Sequence, residues 1–188
     1  MIMRIISGIF KGKKILEPLD KNTRPLKDLT KESIFNIINH SNKFNVKLSG
    51  ATILDLFSGV GSFGIECLSR GAKKVIFVEN YINVLKILKK NINNLKSINN
   101  YEIIEQNIYE NNLEFYIKNT FDIIFLDPPF KDKNLDKLLI KIENEKLLNK
   151  NGIIIIHRHK SEKDLIPERL KIIEEKKYGI SKIIFLTF

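Results

Sequence analysis

The stretch that decides the fold is Thr52-Ile53-Leu54-Asp55-Leu56-Phe57-Ser58-Gly59-Val60-Gly61-Ser62-Phe63-Gly64. An apolar run of strand length leads into a G-x-G-x-x-G pattern, which opens a segment with helical spacing. Glycines at such a turn let the backbone bend sharply and let a ligand approach where a Cβ would clash. The glycine pattern alone is common by chance, but its position between a strand and a helix predicts a cofactor site.

From Thr52 onward, short apolar runs alternate with helical patterns, which is typical of an open parallel sheet covered by helices on both faces. The last two β-type runs are joined by so short a turn that no crossover helix fits, so they are predicted to form a C-terminal antiparallel hairpin. We therefore expect an α/β, Rossmann-like fold with a seven-stranded, mostly parallel sheet. The predicted strands are Thr52 to Leu56, Lys74 to Val78, Tyr101 to Glu105, Asp122 to Leu126, Gly152 to His157, Leu170 to Tyr178 and Ser181 to Phe188, and the predicted core helices are Gly61 to Arg70, Ile82 to Leu95 and Leu135 to Leu147.

A small extension precedes this core. Arg4 to Phe10 and Lys13 to Leu16 are predicted to form a β-hairpin, and an apolar stripe predicts a helix from Asp28 to Asn39. The first 50 residues hold 10 Lys and Arg against 4 Asp and Glu, and the whole chain has a net charge of +10. We therefore expect a basic N-terminal extension over residues 1–45, suited to a polyanionic partner, and a Rossmann-like domain over residues 46–188.

Length and composition exclude several classes of protein. With 188 residues, 43% of them hydrophobic, the chain is long enough for one sizeable core. It has no apolar stretch that would span a membrane and no signal pattern, so we expect a cytoplasmic protein. The single Cys67, expected to be buried, excludes an internal disulfide and a zinc site of several thiolates. His40, His157 and His159 do not combine with carboxylates at ligand spacing, so we expect no metal and interpret the shared strand face of the last two as chance.

The cofactor prediction depends on two carboxylates. Glu79 ends the second predicted strand, 20 residues after Gly59, where it can accept hydrogen bonds from both hydroxyls of a ribose; that feature suits NAD equally well. Asp55, at the start of the glycine loop, would repel a dinucleotide pyrophosphate but attract the α-ammonium of an amino-acid cofactor, which favours S-adenosylmethionine. The amide of Asn107 is a candidate to bind the adenine edge, with a plain surface asparagine as the alternative. The candidate cofactor-binding residues are Asp55, Phe57, Ser58, Gly59, Gly61, Gly64, Glu79, Asn80 and Asn107.

The predicted catalytic loop, Asp127-Pro128-Pro129-Phe130, follows the fourth predicted strand. Ligands of an open parallel sheet bind beyond the carboxyl ends of its strands, so this loop should face the cofactor. The two prolines stiffen the turn and remove two backbone donors. The Asp127 carboxylate and the Pro128 carbonyl can then accept both N–H groups of an exocyclic amine, while Phe130 stacks on the base. The loop indicates methyl transfer to an amino nitrogen of a nucleic-acid base; a plain strand-ending turn is the alternative.

With these motifs, the chain resembles the bacterial 16S ribosomal RNA guanine-N2 methyltransferases of the RsmD type over most of its length. The family usually has Arg-Pro-Thr followed by Asp-Arg-Val, whereas here Leu26 replaces the threonine and Leu29 and Thr30 replace the arginine and valine. The blocks that carry the resemblance are Arg4-Ile5-Ile6-Ser7-Gly8 with Lys11-Gly12-Lys13, Arg24-Pro25 with Glu32-Ser33-Ile34-Phe35-Asn36, Asp55-Leu56-Phe57-Ser58-Gly59 through Leu68-Ser69-Arg70-Gly71-Ala72, and Leu126-Asp127-Pro128-Pro129-Phe130.

The resemblance implies a class I methyltransferase that makes N2-methylguanine in 16S rRNA and converts S-adenosylmethionine to S-adenosylhomocysteine. It also implies that the substrate is a 30S subunit or an assembly intermediate rather than naked RNA. We expect a monomer. The candidate RNA-backbone contacts are Arg4, Lys11, Lys13, Lys14 and Arg24, with a solvated lysine face as the alternative.

Other functions remain open on the residues alone. A DNA adenine-N6 methyltransferase would use the same chemistry, but the chain has no room for a separate target-recognition domain. Protein glutamine methyltransferases usually carry Asn where Asp127 stands. An NAD dehydrogenase would share the glycine loop but needs hydride-transfer residues, which nothing here resembles, and a non-catalytic RNA-binding protein would not need an intact Asp127.

Overall fold

A computed structural model of the chain describes residues 3–18, 26–96, 98–110 and 117–188. Within these residues, one sheet has the strand order β3-β2-β1-β4-β5-β7-β6. The elements in chain order are α1 (Asp28–His40), β1 (Thr52–Leu56), α2 (Ser62–Ser69), β2 (Lys74–Val78), α3 (Ile82–Asn93), β3 (Tyr101–Ile104), β4 (Phe121–Leu126), α4 (Leu135–Asn144), β5 (Leu148–His159), β6 (Lys171–Tyr178) and β7 (Ser181–Thr187).

The sheet confirms the predicted architecture. Strands β1 to β5 pair in parallel, and β7 pairs antiparallel with both β5 and β6. The chain builds outward from β1 to β2 and β3, then returns to place β4 on the other side of β1. This reversal of strand order opens a crevice at the carboxyl ends of β1 and β4, which is where ligands of such sheets bind.

Burial on both faces explains why the parallel strands are continuous apolar runs. Alternate side chains point to opposite faces, so that Ile53 and Ile123 pack in one apolar cluster whereas Leu54 and Ile124 pack in the other. The first cluster also contains the apolar side chains of the N-terminal segment, α1, α2 and α3. The second contains those of α4.

Two predicted boundaries were wrong by more than two residues. Strand β5 begins at Leu148 rather than Gly152, because Leu148 pairs with Phe121 ahead of a bulge in the β4–β5 register. Helix α4 ends at Asn144 rather than Leu147. Lys146 takes a left-handed backbone, φ 50°, which a helix cannot continue through.

The predicted N-terminal hairpin is only partly formed. The amide of Ile5 donates to the Lys13 carbonyl at 2.9 Å, and the structure has a single antiparallel bridge here, between Arg4 and Lys14. The predicted strand from Arg4 to Phe10 is therefore wrong. Beyond Ile5, the amides of Ile6, Ser7, Ile9 and Phe10 donate to α2 instead of to a partner strand.

Glu66 on α2 binds the N-terminal segment to the core. Its carboxylate is fully buried and accepts from the amides of Ile6 at 2.7 Å and Ser7 at 2.9 Å, and from Arg70 Nε at 2.8 Å. Hydrogen bonds to a buried carboxylate are the strong ones, because charge assists them. The segment that carries the resemblance near the N-terminus is thus held by hydrogen bonds to its backbone as well as by its buried side chains, such as Ile5.

Ser69, one turn further along α2, holds the same segment a second time. Its hydroxyl donates to the Ser7 carbonyl at 2.6 Å and accepts from the Phe10 amide at 3.0 Å, and its carbonyl accepts from the Ile9 amide at 2.8 Å. Gly8 lies between these bonds with φ 83°, and a Cβ on it would come within 1.9 Å of the Ser69 carbonyl oxygen. Only glycine fits this position.

Lys31 of α1 ties three parts of the chain together. Its fully buried ammonium donates to the Arg4 carbonyl at 2.8 Å and to the Ser62 hydroxyl at 3.2 Å, and lies 3.8 Å from the Glu66 carboxylate. Burial lowers the pKa of Lys31, while the charges of Glu66 and Asp28 act in the opposite direction. Because Ser62 begins the helix after the glycine loop, the extension reaches the edge of the crevice.

The division of the chain at residue 45 stays a prediction. Apolar side chains before and after that residue, such as Ile34 and Phe63, belong to one core cluster. None of the helices in the described part of the chain has the length and apolar character needed to cross a membrane.

The clash at Gly8 can be separated from the cost of its backbone conformation. Gly12 has nearly the same φ, 85°, but a Cβ there meets no described atom within 4 Å. We expect Gly12→Ala to cost about 1–2 kcal/mol for the left-handed conformation, and Gly8→Ala to cost a further 1–3 kcal/mol, roughly, for overpacking against Ser69. Urea unfolding of both variants measures this difference, and equal losses would contradict the close approach of Gly8 to α2.

Candidate functional site

Four polar side chains meet at the carboxyl edge of the parallel sheet. Asp55 lies near the end of β1, Glu79 directly follows β2, Asp127 directly follows β4, and His157 lies near the end of β5. Parallel strands end at the same edge, so residues far apart in sequence are brought to one crevice. The sequence analysis predicted both the cofactor site and the catalytic loop at this edge of the sheet.

The glycine loop turns through left-handed conformations. Phe57, Gly59 and Gly61 have φ values of 59°, 57° and 85°. Such a value is costly for a phenylalanine, and strain of this kind is concentrated at functional sites. The Phe57 ring lies 5.9 Å from the ring of Tyr109, measured between centroids.

Ser58, a predicted cofactor contact, is used inside the protein. Its buried hydroxyl donates to the Asp55 carbonyl at 2.6 Å and lies 3.1 Å from the Val78 carbonyl. Its amide also donates to the Val78 carbonyl. Ser58 therefore joins the ends of β1 and β2, and its side chain sets the shape of the loop.

Two predicted cofactor glycines allow close packing. A Cβ on Gly64 would lie 2.3 Å from the Phe77 ring and 2.9 Å from Asp55 Oδ2, and one on Gly61 would lie 2.4 Å from Leu88. The third glycine of such a pattern is known to serve helix–strand packing. Gly61 and Gly64 thus bring α2 and α3 against the sheet, and direct contact with a cofactor stays a prediction.

Asp55 is a buried carboxylate in a strongly negative setting. It is 1% exposed, and its Oδ2 accepts from the Gly64 amide at 2.9 Å. Burial raises the pKa of Asp55 well above its usual value, the Gly64 hydrogen bond opposes this, and the charges of Asp127 and Glu79 raise it further. A cation bound among these three carboxylates would offset the cost of ionising Asp55, whereas a pyrophosphate would increase it.

Glu79 braces the glycine loop from β2. Its Oε2 accepts from the Gly59 amide at 2.8 Å, and its Oε1 accepts from the amides of Asn80 and Tyr81, both at 2.9 Å. Each carboxylate oxygen has two lone pairs, so the ribose hydroxyls can still be accepted as predicted. Asn80 is exposed beside it.

Asn107 follows β3 as predicted, but its amide is already used. Its Oδ1 accepts from the Tyr109 amide at 3.1 Å, and its Nδ2 donates to Glu110 Oε1 at 2.7 Å. Nδ2 carries a second N–H that could donate to an adenine edge while the Glu110 contact is kept. The role of Asn107 toward a cofactor stays a prediction.

Asp127 is paired with a histidine that the sequence analysis did not assign. His157 Nδ1 lies 2.8 Å from Asp127 Oδ1, and their side chains are 10% and 19% exposed. The strand register explains the pairing: Leu126 lies opposite Ile156, so the next residues of β4 and β5 meet at the crevice. Sequence analysis gave His157 no role in the site, and the signal that could have found it was a polar residue that ends a buried apolar run.

Arg158 holds the predicted catalytic loop by its main chain. Its side chain is 1% exposed and donates from Nη1 to the Pro129 carbonyl at 3.0 Å and from Nη2 to the Asp132 carbonyl at 2.9 Å. The same guanidinium pairs with Asp164, 2.7 Å from Nη2 to Oδ1. Sequence analysis missed Arg158. Its signal was the choice of arginine in a chain with 27 lysines and 5 arginines. Only a guanidinium can donate to all of these acceptors together.

Asp132 receives further bonds that fix the end of the loop. Its carboxylate accepts from the Tyr109 hydroxyl at 2.9 Å and from the Asn134 amide at 2.9 Å. Burial and the bond to Asp132 raise the pKa of Tyr109 well above its usual value, so the phenol stays a donor. The loop between β4 and α4 is thereby tied to the loop that follows β3.

Phe130 belongs to an aromatic cluster at the mouth of the crevice. Its ring is edge-on to His157 at 5.9 Å and to His159 at 5.1 Å, measured between centroids. Edge-to-face contacts of this kind are favourable and orient the rings. A flat apolar surface therefore adjoins the Asp127 carboxylate, as stacking of a base requires.

The candidate RNA contacts are spread along α2. Arg4 and Lys14 are exposed and bridged to each other, near Ser62 at the glycine-loop end of the helix. Lys11 and Lys13 are also exposed; Lys11 donates its amide to Gly8, which lies at the other end of α2. A helix of eight residues is about 12 Å long, so only the first pair adjoins the crevice.

The remaining candidate, Arg24, lies outside the described residues. Arg4 Nε lies 4.0 Å from Asp28 Oδ2, and Lys13 Nζ lies 4.9 Å from the centroid of the Phe10 ring. Exposed contacts of this length are weak and leave the cations available to phosphates.

Comparison with known proteins gives a consistent result. A family model described as conserved hypothetical protein 95 matches residues 3–187. The protein named ribosomal RNA small subunit methyltransferase D in Haemophilus influenzae is 33% identical over 179 residues, which cover 95% of this chain and 90% of that protein. A candidate rRNA methyltransferase of Bacillus subtilis, YlbH, is 35% identical over 186 residues, or 96% of each chain.

A solved structure agrees with the sequence matches. A candidate methylase from Haemophilus influenzae superposes with a TM-score of 0.74 at 32% identity, and the match covers 99% of this chain and 98% of that one. The likeness therefore includes the N-terminal segment as well as the sheet.

The importance of the Arg158 contacts can be measured. Arg158→Met removes the buried guanidinium that pairs with the mostly buried Asp164 and donates to the Pro129 and Asp132 carbonyls, so we expect it to destabilise the fold by about 3–5 kcal/mol. Arg169→Met is the matched control, because Arg169 is 82% exposed and forms an ion pair with Glu143 at 3.3 Å; the loss of stability should be no more than about 1 kcal/mol. Urea unfolding gives both values, and similar small losses would show that Arg158 does not hold the loop.

Proposed function

The chain belongs to the RsmD-type family of small-subunit ribosomal RNA methyltransferases, and on that premise we propose that it methylates the exocyclic N2 of a guanine in 16S rRNA. The methyl donor is S-adenosylmethionine and the second product is S-adenosylhomocysteine. The observation that carries the proposal is the position of Asp127-Pro128-Pro129-Phe130 at the carboxyl end of β4, beside a glycine loop surrounded by carboxylates.

The charges of the crevice support this donor. S-adenosylmethionine carries an α-ammonium and a sulfonium but no phosphate. The charges of Asp127 and Glu79 both raise the pKa of Asp55, and no cationic side chain of the described residues is among the causes of that shift. A ligand with positive charges is favoured here, and we assign the α-ammonium to the side of Asp55 and the ribose to Glu79.

The catalytic loop suits a primary aromatic amine. The N2 amino group of guanine has two N–H groups, and its lone pair is delocalised into the ring. The Asp127 carboxylate and the Pro128 carbonyl accept these two protons and direct the nitrogen toward the methyl group. Arg158 donates to the Pro129 carbonyl. This supports the assignment of the Pro128 carbonyl, rather than that of Pro129, as the acceptor for the amine. As the methyl group arrives, positive charge develops on the nitrogen, and the carboxylate stabilises it.

A base must leave its stack to reach this loop. Phe130 lies beside Asp127, among the rings of His157 and His159, and provides an apolar surface for the extruded base. Stacking on aromatic side chains is how unpaired RNA bases are commonly bound. The exposed Arg4 and Lys14, at the end of α2 nearest the crevice, bind the phosphates of the flanking RNA.

The substrate is best supplied as a subunit. The family resemblance implies a late, partly protein-bound assembly intermediate of the 30S subunit, and we propose that a monomer acts on it in the cytoplasm. Deleting the gene and mapping rRNA methylation by mass spectrometry should remove one N2-methylguanine from 16S rRNA. Purified protein, with labelled S-adenosylmethionine, should restore it on 30S subunits from the deletion strain but leave duplex DNA unmodified. If the labelled methyl group appeared on adenine in DNA and not on 16S rRNA, the protein would be a DNA adenine methyltransferase and this proposal would be wrong.

Removing the Asp127 carboxylate should abolish catalysis without abolishing cofactor binding. We expect Asp127→Ala to lower turnover on 30S subunits by at least about 10²-fold, since one preorganised stabilising group is lost. The affinity for S-adenosylmethionine, measured by calorimetry, should change by less than about tenfold. Near-normal turnover in this variant would defeat the mechanism.

Reversing the basic pair near the crevice should weaken binding to the subunit. In Arg4→Glu/Lys14→Glu, two phosphate contacts are lost, so the slope of log K against log salt should flatten by about 0.7 for each contact. The matched control is Lys137→Glu/Lys150→Glu, which reverses two exposed lysines, one of them on α4 across the sheet. Equal weakening in the two double variants would assign the effect to net charge rather than to this surface.

A further inference from the structure

We propose that His157 is the positioning residue for Asp127. Its Nδ1–H donates to Asp127 Oδ1 and holds the carboxylate so that Oδ2 is the oxygen that receives the substrate amine. This inference depends on the proposed function, because it assigns a role within methyl transfer. It adds a residue that the pattern of the catalytic loop does not contain.

The contact itself has the geometry of a strong hydrogen bond. Nδ1 and Oδ1 are 2.8 Å apart, which is typical of a bond between an imidazole and a carboxylate. Both side chains are mostly withdrawn from solvent, with 10% and 19% exposure. In such a setting the bond competes little with water and restricts the rotation of the Asp127 side chain.

The backbone on both sides of the pair is fixed. His157 lies inside β5, opposite Ile183 of the antiparallel strand β7, and directly precedes Arg158, whose side chain holds the Pro129 and Asp132 carbonyls. The Asp127 amide donates to the Leu56 carbonyl at 3.3 Å. The two functional groups are therefore presented by neighbouring strands rather than by free loops, which is what precise positioning requires.

The chemistry decides which atom carries the proton. An ionised carboxylate only accepts hydrogen bonds, so the shared proton lies on Nδ1 of His157. One carboxylate oxygen is then occupied by the imidazole, and the other is left to accept from the amine. The charge of Asp127 is retained, because a hydrogen bond from a neutral imidazole orients the carboxylate without neutralising it. Asp127 can thus still stabilise the positive charge that develops on the substrate nitrogen.

Two substitutions separate this role from simple packing. His157→Phe keeps a ring of similar size beside Phe130 but removes the donor, so we expect turnover on 30S subunits to fall by about 10–10²-fold. Affinity for S-adenosylmethionine should change by less than about threefold, because the donor site is bound through Asp55 and Glu79. His157→Asn places an amide donor near the position of Nδ1, and should recover at least about half of the lost activity on a logarithmic scale. His40→Phe, an exposed position at the end of α1, is the control for loss of a histidine.

A measurement without substrate tests the hydrogen bond directly. The chain has only three histidines, so ¹⁵N NMR resolves each imidazole. His157 should carry its proton on Nδ1 in the ligand-free protein and shift toward the Nε2–H form in Asp127→Ala, while His40 stays unchanged. The same tautomer in both proteins would overturn the proposal even if the enzyme were inactive in every assay.

The failures of the two proposals are distinguishable. If the wild-type protein methylates the subunit and folded His157→Phe turns over within about threefold of it, Asp127 does not need His157 and the positioning role is wrong. If His157→Phe is impaired and His157→Asn is equally impaired, restoring a hydrogen-bond donor near the position of Nδ1 does not restore activity, and the positioning role is again wrong. If the wild-type protein does not methylate 30S subunits, the proposed function fails, and the NMR result still decides the pair.

Discussion

Parallel pairing of β1 with β4 is the constraint on which the rest of this protein depends. It places the carboxyl ends of the central strands at one edge and reverses the strand order there. Asp55, Glu79, Asp127 and His157 each come from a different strand or its end, yet they form one site. The carboxylates of Glu79 and Asp127 act on that of Asp55, which the same strands bury. The proposed donor, with two positive charges, is the kind of ligand that such a crevice favours.

The N-terminal segment is held to this core by buried apolar side chains and by hydrogen bonds to its backbone. Glu66 and Ser69 of α2 bind its amides, and Lys31 joins it to the first residue of α2. These contacts are buried, so the side chains that remain outside, including Arg4 and Lys14, are free to face solvent. A basic surface is thereby attached next to the glycine loop without a separate domain to carry it.

Much of the fold could be predicted from the sequence because strands covered on both faces are continuous apolar runs, and because Gly59, Gly61 and Gly64 mark the turn into a helix. The N-terminal hairpin could not, since the amides of Ile6 and Ser7 bind Glu66, sixty residues away in the chain. The candidate site was found through Asp55, Glu79 and Asp127, whose positions follow from the strand ends. His157 and Arg158 were missed because their partners depend on the register between β4 and β5, which local sequence does not encode.

Arg158 also determines at which stage the catalytic loop becomes ordered. Its guanidinium fixes the carbonyls of Pro129 and Asp132 from a buried strand, and the two prolines restrict the chain before them. The loop is therefore ordered during folding, and its conformational entropy is spent before any substrate arrives. Binding a base then requires ordering of the RNA alone, so a larger share of the contact energy remains for drawing that base out of its stack.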